Sequence, residues 1–176
     1  MSGWLRAVLR VLAGPPGFIL AILWAGMAVA QAPPPGWPQE LRAELHPKWV
    51  EMSNGRAQIK WPANDGFTGP RREETLQPGT VIDRLGSPGG RFFYTANAAY
   101  GSRSLPYVCQ RMVYTVYRVA KPLHVTAGKV APWFGEPGGA QQYAAAESAD
   151  RLMQDGTIVI VTRFRSDEPK PSPVCP

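Results

Sequence analysis

A glycine-rich segment near the end of the chain, residues 133–143, carries the side chains with the clearest chemical potential. It reads WFGEPGGAQQY, so three glycines and a proline come before a pair of glutamines. Gly135, Gly138 and Gly139 permit positive φ angles and close approach of a ligand, and alone they indicate only a tight loop. Gln142 adds chemistry, because a neutral amide can orient a water molecule or bind sugar hydroxyls without adding charge.

Arg84, well upstream of that loop, is the second candidate. It ends a strand-like run, where its guanidinium could hold a diphosphate in bidentate fashion. The alternative is a surface ion pair with Asp83 or Glu74.

Common catalytic motifs do not occur in the sequence. There is no Gly-x-Ser-x-Gly elbow, P-loop or Gly-x-Gly-x-x-Gly fingerprint, and His46 and His124 have no nucleophile at a suggestive spacing. A glycosidase pair drawn from Asp83, Glu136 and Glu147 stays open, although nothing in the sequence brings these carboxylates together. Two cysteines and two distant histidines lack the spacing of a zinc site, so we expect no metal.

The first thirty residues are typical of a signal peptide. Arg6 and Arg10 give a basic start, residues 18–30 are apolar, and Ala28 and Ala30 are the small residues that a peptidase requires. An uncleaved anchor is the alternative, but a bilayer core needs about 20 apolar residues. We therefore expect a secreted, periplasmic or otherwise extracytoplasmic protein with no stable membrane anchor after cleavage.

The net charge is +6, and it becomes +4 when Arg6 and Arg10 leave with the signal peptide. The remaining charges are scattered, and within residues 71–74 two arginines come directly before two glutamates. Nucleic-acid binding needs a basic stripe or a recognised module, so we expect none. A modest positive charge still favours a small anionic ligand.

Only two cysteines occur, Cys109 and Cys175. Export permits a disulfide between them, which would fasten a Pro-rich tail, residues 166–176, to the domain. Two free thiols are the alternative.

Hydrophobic patterning predicts an α+β fold: a single compact domain, residues 49–165, with a central, mostly antiparallel sheet and few short helices. Residues 31–48 are interpreted as a linker and N-terminal segment with one or two helical turns at 39–45. Asn54-Gly55 predicts a hairpin between strands at 50–53 and 56–61. Further strands rich in Val, Ile, Tyr and Phe are expected at 80–84, 91–95, 113–120, 123–131 and 157–164.

Two finer expectations concern a helix and a core face. Residues 147–154 are expected to form a helix that Ser148 caps and Gly156 ends. In the strand at 113–120, the side carrying Val113, Tyr117 and Val119 is expected to face the core. Residues 61–70, WPANDGFTGP, are interpreted as turns.

Five segments occur in a fixed order: WPANDGF (61–67), GTVIDRLGSPGGRFF (79–93), RSLP (103–106), VYTVYRVAKPL (113–123) and APWFGEPGGAQQY (131–143). From about residue 61 to residue 156 the chain resembles the tuberculosis necrotizing toxin (TNT) family, whose members hydrolyse NAD to nicotinamide and ADP-ribose. The Phe-Gly-x-Pro-Gly-Gly-x-x-Gln-Tyr element is the specific part. The resemblance implies an NAD glycohydrolase that acts as a toxin on NAD or NADP and uses no cofactor. An immunity protein is the partner that it implies, and export of the enzyme away from the producing cell's own NAD is the alternative protection.

The resemblance also assigns roles to individual residues. Gln142 matches the family's catalytic glutamine, and Arg84 matches an arginine that contacts NAD and takes part in catalysis. Arg103 matches a phosphate-contacting arginine, with a purely structural role as the alternative.

Aromatic and glycine residues complete the expected substrate site. Phe92 and Phe93 point to opposite faces of a strand, so one is core and the other can stack on nicotinamide or adenine. Phe92 fits the family spacing from Arg84 better. Phe134 and Gly139, in the glycine-rich loop, are the remaining expected substrate contacts.

One departure from the family pattern keeps alternatives open. The strand in which the family carries a functional histidine reads VYTVY here, at 113–117, and Tyr114 is the polar residue available in its place. An ADP-ribosyl transferase that uses Glu136, or a non-catalytic exported domain that binds NAD or the envelope, would fit the same residues.

Overall fold

Alternating apolar and polar residues, separated by turns that contain glycine, form most of this protein's strands. The computed structural model describes residues 32–165 and 172–176, so the predicted signal peptide and most of the Pro-rich tail lie outside the described residues. The strands are β1 (Val50–Ser53), β2 (Arg56–Ile59), β3 (Phe67–Leu76), β4 (Val81–Leu85), β5 (Phe92–Thr95), β6 (Tyr114–Val119), β7 (Leu123–Val130), β8 (Gln141–Ala145) and β9 (Ile158–Phe164).

The described helices are short. They are α1 (Ala149–Gln154) and the 3-10 turns Ala43–Leu45, Asn64–Gly66, Tyr100–Arg103 and Cys109–Arg111. None of the helices within residues 32–165 and 172–176 has the length and hydropathy needed to span a membrane.

Strands β3 to β9 form one antiparallel sheet in the order β3-β7-β8-β5-β4-β6-β9. Strands β1 and β2 form a separate hairpin. Its turn residues Asn54 and Gly55 have φ angles of 49° and 71°, as the predicted Asn-Gly hairpin requires. The prediction of one compact domain with a mostly antiparallel sheet and few short helices is confirmed.

One face of the sheet packs against α1. Its buried cluster includes Phe93 from β5, Val125 from β7, Ala145 from β8 and Leu152 from α1. Tyr143 of β8 also packs against this cluster. Because successive side chains of a strand point to opposite faces, the preceding residue, Gln142, points to the other face. That second face holds the cavity described below.

A disulfide joins Cys109 to Cys175, with an S–S distance of 2.02 Å. Both residues pack with a small cluster that contains Leu85, Tyr114 and Val174. The C-terminal residues are thereby fixed to the end of the sheet that carries β4 and β6.

The predicted strands occur, with ends shifted by one or two residues, but two strands were missed. The assignment of residues 67–70 to turns is wrong, because they begin β3. This strand is largely polar, lies at the sheet edge and contains an irregularity between Thr68 and Arg72, where Gly69 and Pro70 interrupt the pairing. Strand β8 was missed because Tyr143 is its only residue of a type that is enriched in strands.

Two local expectations need correction. The helix begins at Ala149 rather than residue 147, although Ser148 is its N-cap. In β6, Tyr117 and Val119 face the core as predicted, but Tyr114 and Thr115 are buried as well. Both faces of this strand's first half are covered, and a register shift between Val116 and Tyr117 separates it from the second half.

Candidate active site

A cavity of about 430 Å³ opens on the face of the sheet opposite α1. It brings together four residues that the sequence singled out: Arg84 from β4, Phe92 from β5, Gln142 from β8 and Arg103 from a 3-10 turn. The other lining residues come from two loops and the strand ends, and they are Trp61, Pro62, Asp65, Gly66, Leu85, Tyr94, Ser104, Leu105, Tyr107, Val130 and Ala131.

Gln142 is held in one orientation. Its side chain is buried, and its Nε2 donates a hydrogen bond of 2.9 Å to the backbone oxygen of Asp65. Because a carbonyl oxygen can only accept a hydrogen bond, the side-chain atom that faces Asp65 must be the amide nitrogen. The amide oxygen, Oε1, therefore points away from this bond. Oε1 accepts no hydrogen bond from any described residue, so it can accept one from a water molecule or a ligand hydroxyl.

The loop that carries Asp65 has an unusual backbone. Asn64, Asp65 and Gly66 are consecutive left-handed residues, with φ angles of 54°, 55° and 78°. Such a run is strained at the two non-glycine positions, and strain of this kind is found at functional sites. It presents the Asp65 carbonyl to Gln142, while the Asp65 carboxylate forms an ion pair of 3.0 Å with Arg91.

The sequence analysis missed Asp65. The signal was present in WPANDGF, because Asn, Asp and Gly are the residues that best tolerate left-handed backbone. The motif does not reveal, however, that the Asp65 carbonyl accepts a hydrogen bond from Gln142, because the two residues are distant in sequence.

Arg84 lies against backbone rather than against an acid. Its Nε donates to the Ser87 carbonyl and its Nη1 donates to the Phe92 carbonyl, each at 2.8 Å. No carboxylate of the described residues lies within ion-pair distance of it. Burial lowers the pKa of Arg84, but a guanidinium stays charged at neutral pH. The cavity therefore contains a positive charge that a ligand anion can neutralise.

Gly90 makes room for this arginine. A Cβ atom at position 90 would lie 1.7 Å from Nη2 of Arg84 and 2.2 Å from its Cζ. The guanidinium can occupy its position only because residue 90 has no side chain.

Arg103 has a different environment. It is buried and makes a two-pronged ion pair with Asp83, with Nη1–Oδ1 and Nη2–Oδ2 distances of 2.5 and 2.9 Å. Its Nε and Nη2 also donate to the Ala98 carbonyl. Asp83, which has no exposed surface, also accepts hydrogen bonds from the Tyr114 hydroxyl and the backbone N–H of Asn97. Most of the Arg103 donors are thus used inside the protein, as the structural alternative expects.

The two phenylalanines of β5 separate as strand alternation requires. Phe93 is buried in the cluster beside α1, and Phe92 lines the cavity. The Arg91 guanidinium lies over the Phe92 ring, 4.7 Å from its centre, and covers one of its two faces.

Phe134 and Gly139 do not line the cavity. Phe134 is buried among Leu45 and Val50, and its ring meets Trp61 edge-on with 5.6 Å between centres. Gly139 has a φ of 92°, and its amide donates to the Val130 carbonyl at 2.9 Å. Both residues shape the glycine-rich loop next to the cavity.

The carboxylates that the sequence left open are separated. Glu136 forms an ion pair with Arg42, Asp83 is paired with Arg103, and Glu147 is exposed. Among the described lining residues, Asp65 is the only carboxylate. A facing glycosidase pair is therefore not built, and no group of three potential metal ligands occurs in the described parts of the chain.

Comparison with known proteins links this arrangement to a family. The family described as tuberculosis necrotizing toxin matches residues 75–161. The conidial surface nicotinamide adenine dinucleotide glycohydrolase of Aspergillus fumigatus is 30% identical over 139 residues, and the match covers 72% of this chain and 59% of that protein. The chain thus spans about three fifths of that relative's length.

The fold is also similar to a solved structure. Tuberculosis necrotizing toxin, determined in complex with its immunity factor, superposes with a TM-score of 0.57 at 19% identity, covering 73% of this chain and 75% of that chain. The sequence resemblance to the TNT family is confirmed, and the chain belongs to the tuberculosis necrotizing toxin family.

Proposed function

We propose that this protein is a secreted NAD glycohydrolase of the toxin type, which cleaves the bond between nicotinamide and ribose. The observation that carries the proposal is the shared cavity of Gln142, Phe92 and Arg84, in which Arg84 has no acidic partner among the described residues. The glycohydrolase activity of the fungal relative and the family membership support the same reaction.

The chemistry suits these residues. When the bond between C1′ of the ribose and the nicotinamide nitrogen breaks, the electron pair goes to the positive ring and nicotinamide leaves as a neutral molecule. No strong general acid is needed. Water then adds to C1′ and loses a proton, which gives ADP-ribose. The protein has to hold the dinucleotide, stabilise the electron-poor C1′ centre and place the water.

Each residue then has a role. The face of the Phe92 ring opposite Arg91 attracts the positive nicotinamide ring. The Arg84 guanidinium binds the diphosphate, and the fixed Oε1 of Gln142 accepts a hydrogen bond from the attacking water or a ribose hydroxyl. Arg103 supports the cavity wall through its ion pair with Asp83, which neutralises its charge.

The two alternatives differ in their support. A transferase would need an acid beside the acceptor, and Glu136 is engaged by Arg42 outside the cavity lining. A non-catalytic NAD-binding domain is favoured by the missing family histidine, since the Tyr114 hydroxyl donates to Asp83 and does not line the cavity.

Product analysis separates these functions. The purified protein is incubated with NAD labelled in its adenosine half. Nicotinamide and free labelled ADP-ribose in equal amounts support hydrolysis. Label retained on protein supports transfer, and intact NAD supports binding without cleavage.

Gln142→Ala tests the site. We expect cleavage to fall by at least about tenfold, because one transition-state contact is lost. Gln141→Ala is the matched control, since its side chain points to the other face of β8, and it should retain cleavage. Activity of Gln142→Ala equal to that of the unaltered protein would rule out this assignment.

The proposal extends to partners and location. NAD or NADP is the substrate, no cofactor takes part, and residues 1–30 direct export. Because a related toxin was solved with its immunity factor, we also propose an immunity protein that covers the cavity. Co-purification of the protein with the product of an adjacent gene, together with loss of NAD cleavage, would test that part.

A further inference from the structure

Trp61 is an aromatic residue of the cavity lining that has no role in the proposed reaction. It lines the cavity, yet 54% of its surface is exposed. Aromatic side chains in the lining of a cavity provide apolar surface that a ligand can cover.

The Trp61 ring has a fixed support. Its edge-on contact with Phe134 ties it to the buried cluster that also contains Leu45 and Val50. The ring centre of Tyr107, which also lines the cavity, lies 6.5 Å away at a tilt of 51°. Tyr107 is held in turn, because its backbone carbonyl accepts a hydrogen bond from the buried Tyr100 hydroxyl.

Arg84 connects this aromatic pair to Phe92. Its guanidinium is hydrogen-bonded to the Phe92 carbonyl, and its charge also acts on Tyr107, where it partly offsets the rise in pKa that burial causes. The cavity thus has two aromatic supports, Phe92 on β5 and the Trp61–Tyr107 pair beside the glycine-rich loop, with a positive charge near both.

A dinucleotide has the same sequence of groups: an aromatic ring, a diphosphate and a second aromatic ring. Resting on the proposed function, we infer that Trp61 and Tyr107 form the stacking site for the adenine base. Phe92 receives the nicotinamide ring, and Arg84 binds the diphosphate between the two. Aromatic side chains stack on bases with about 1–3 kcal/mol for each base.

The test compares two substrates that share the scissile bond. Nicotinamide mononucleotide contains the nicotinamide riboside and one phosphate but lacks the adenosine half of NAD. In Trp61→Leu, kcat/KM for NAD should fall by about tenfold, while kcat/KM for the mononucleotide stays within about twofold. Leucine retains an apolar contact with Phe134 but cannot stack, and Trp61→Phe should recover most of the NAD activity.

Equal losses for both substrates, or an unchanged value for NAD, would overturn the adenine site. Calorimetric binding of ADP-ribose gives a second readout that needs no cleavage, and Trp61→Leu should weaken it by about tenfold. If the unaltered protein cleaves neither substrate, the glycohydrolase proposal fails, and the ADP-ribose measurement alone then supports or overturns the stacking site.

Discussion

Arg84 and Arg103 line the same cavity, but the protein satisfies their guanidinium groups in opposite ways. Around Arg103, a buried carboxylate, a tyrosine hydroxyl and backbone groups form a closed network centred on Asp83. Around Arg84, two backbone carbonyls accept hydrogen bonds from the guanidinium. No carboxylate of the described residues lies within ion-pair distance of it. Arg84 matched an NAD-contacting arginine of the family and Arg103 a phosphate-contacting one, yet only Arg84 has an unneutralised charge.

This difference indicates that Arg103 supports the structure, whereas Arg84 is available to bind a ligand. A buried ion pair is costly to break, because the remaining partner keeps its charge without compensation. A partly buried arginine without an acid gains most from an anionic ligand, because the ligand supplies the missing partner. We therefore expect changes near Arg103 to affect stability and changes near Arg84 to affect activity.

The largest expected effect is on stability at the Arg103 network. Asp83→Asn keeps the size of the side chain but removes the charge that compensates Arg103. We expect the free energy of unfolding to fall by about 3–5 kcal/mol, measured by urea denaturation. Arg84→Gln is the matched change at the other arginine and should cost no more than about 1.5 kcal/mol. Equal losses in the free energy of unfolding for Asp83→Asn and Arg84→Gln would contradict the distinction between a supporting and a binding arginine.

The next largest effect is expected in the pH dependence of stability at alkaline pH. Burial raises the pKa of Tyr94, whose ring lies 4.8 Å from Arg103, to about 12, against about 10 in an unfolded chain. A raised pKa in the folded state contributes stability that is complete below pH 10 and is lost as the pH rises through 12.

Tyr94→Phe removes this titration. Between pH 9.5 and pH 11.5 the unaltered protein should lose on the order of 2 kcal/mol more stability than Tyr94→Phe does. Parallel profiles for the two proteins would show that Tyr94 ionises as it does in the unfolded chain.

The smallest expected effect tests the role of Arg84 in substrate binding through a change in its neighbour, Gly90. In Gly90→Ala, the new Cβ would occupy the place of the guanidinium, and kcat/KM for NAD should fall by about tenfold. Gly89→Ala is the control, because the nearest atom to its Cβ would be the Ser87 hydroxyl at 3.8 Å. If both variants retain full activity, the observed position of Arg84 is not the one used with substrate.

The sequence predicted the parts of the site that depend on local pattern. Strand alternation separated Phe92 from Phe93, and the family motifs placed Gln142 and Arg84 in one cavity. The Asn54-Gly55 hairpin followed from turn chemistry alone.

Long-range contacts account for what was missed. The partnership of Arg103 with Asp83 joins residues twenty positions apart, and no local pattern reveals which carboxylate an arginine will meet. Phe134 was expected in the substrate site, but the 3-10 turn at Ala43–Leu45 and β1 supply the cluster that buries it. Strand β3 was missed because pairing with β7 orders a polar segment that has weak strand propensity of its own.

The most direct test of the central claim compares NAD turnover by the unaltered protein with turnover by Arg84→Gln. Urea denaturation determines the folded fraction of both samples. We predict stoichiometric nicotinamide and ADP-ribose from the unaltered protein. For Arg84→Gln, we predict a loss in kcat/KM of about 10- to 100-fold, the scale of a charge-assisted contact, in a protein that remains folded. Intact NAD with the unaltered protein, or full activity in Arg84→Gln, would contradict the account.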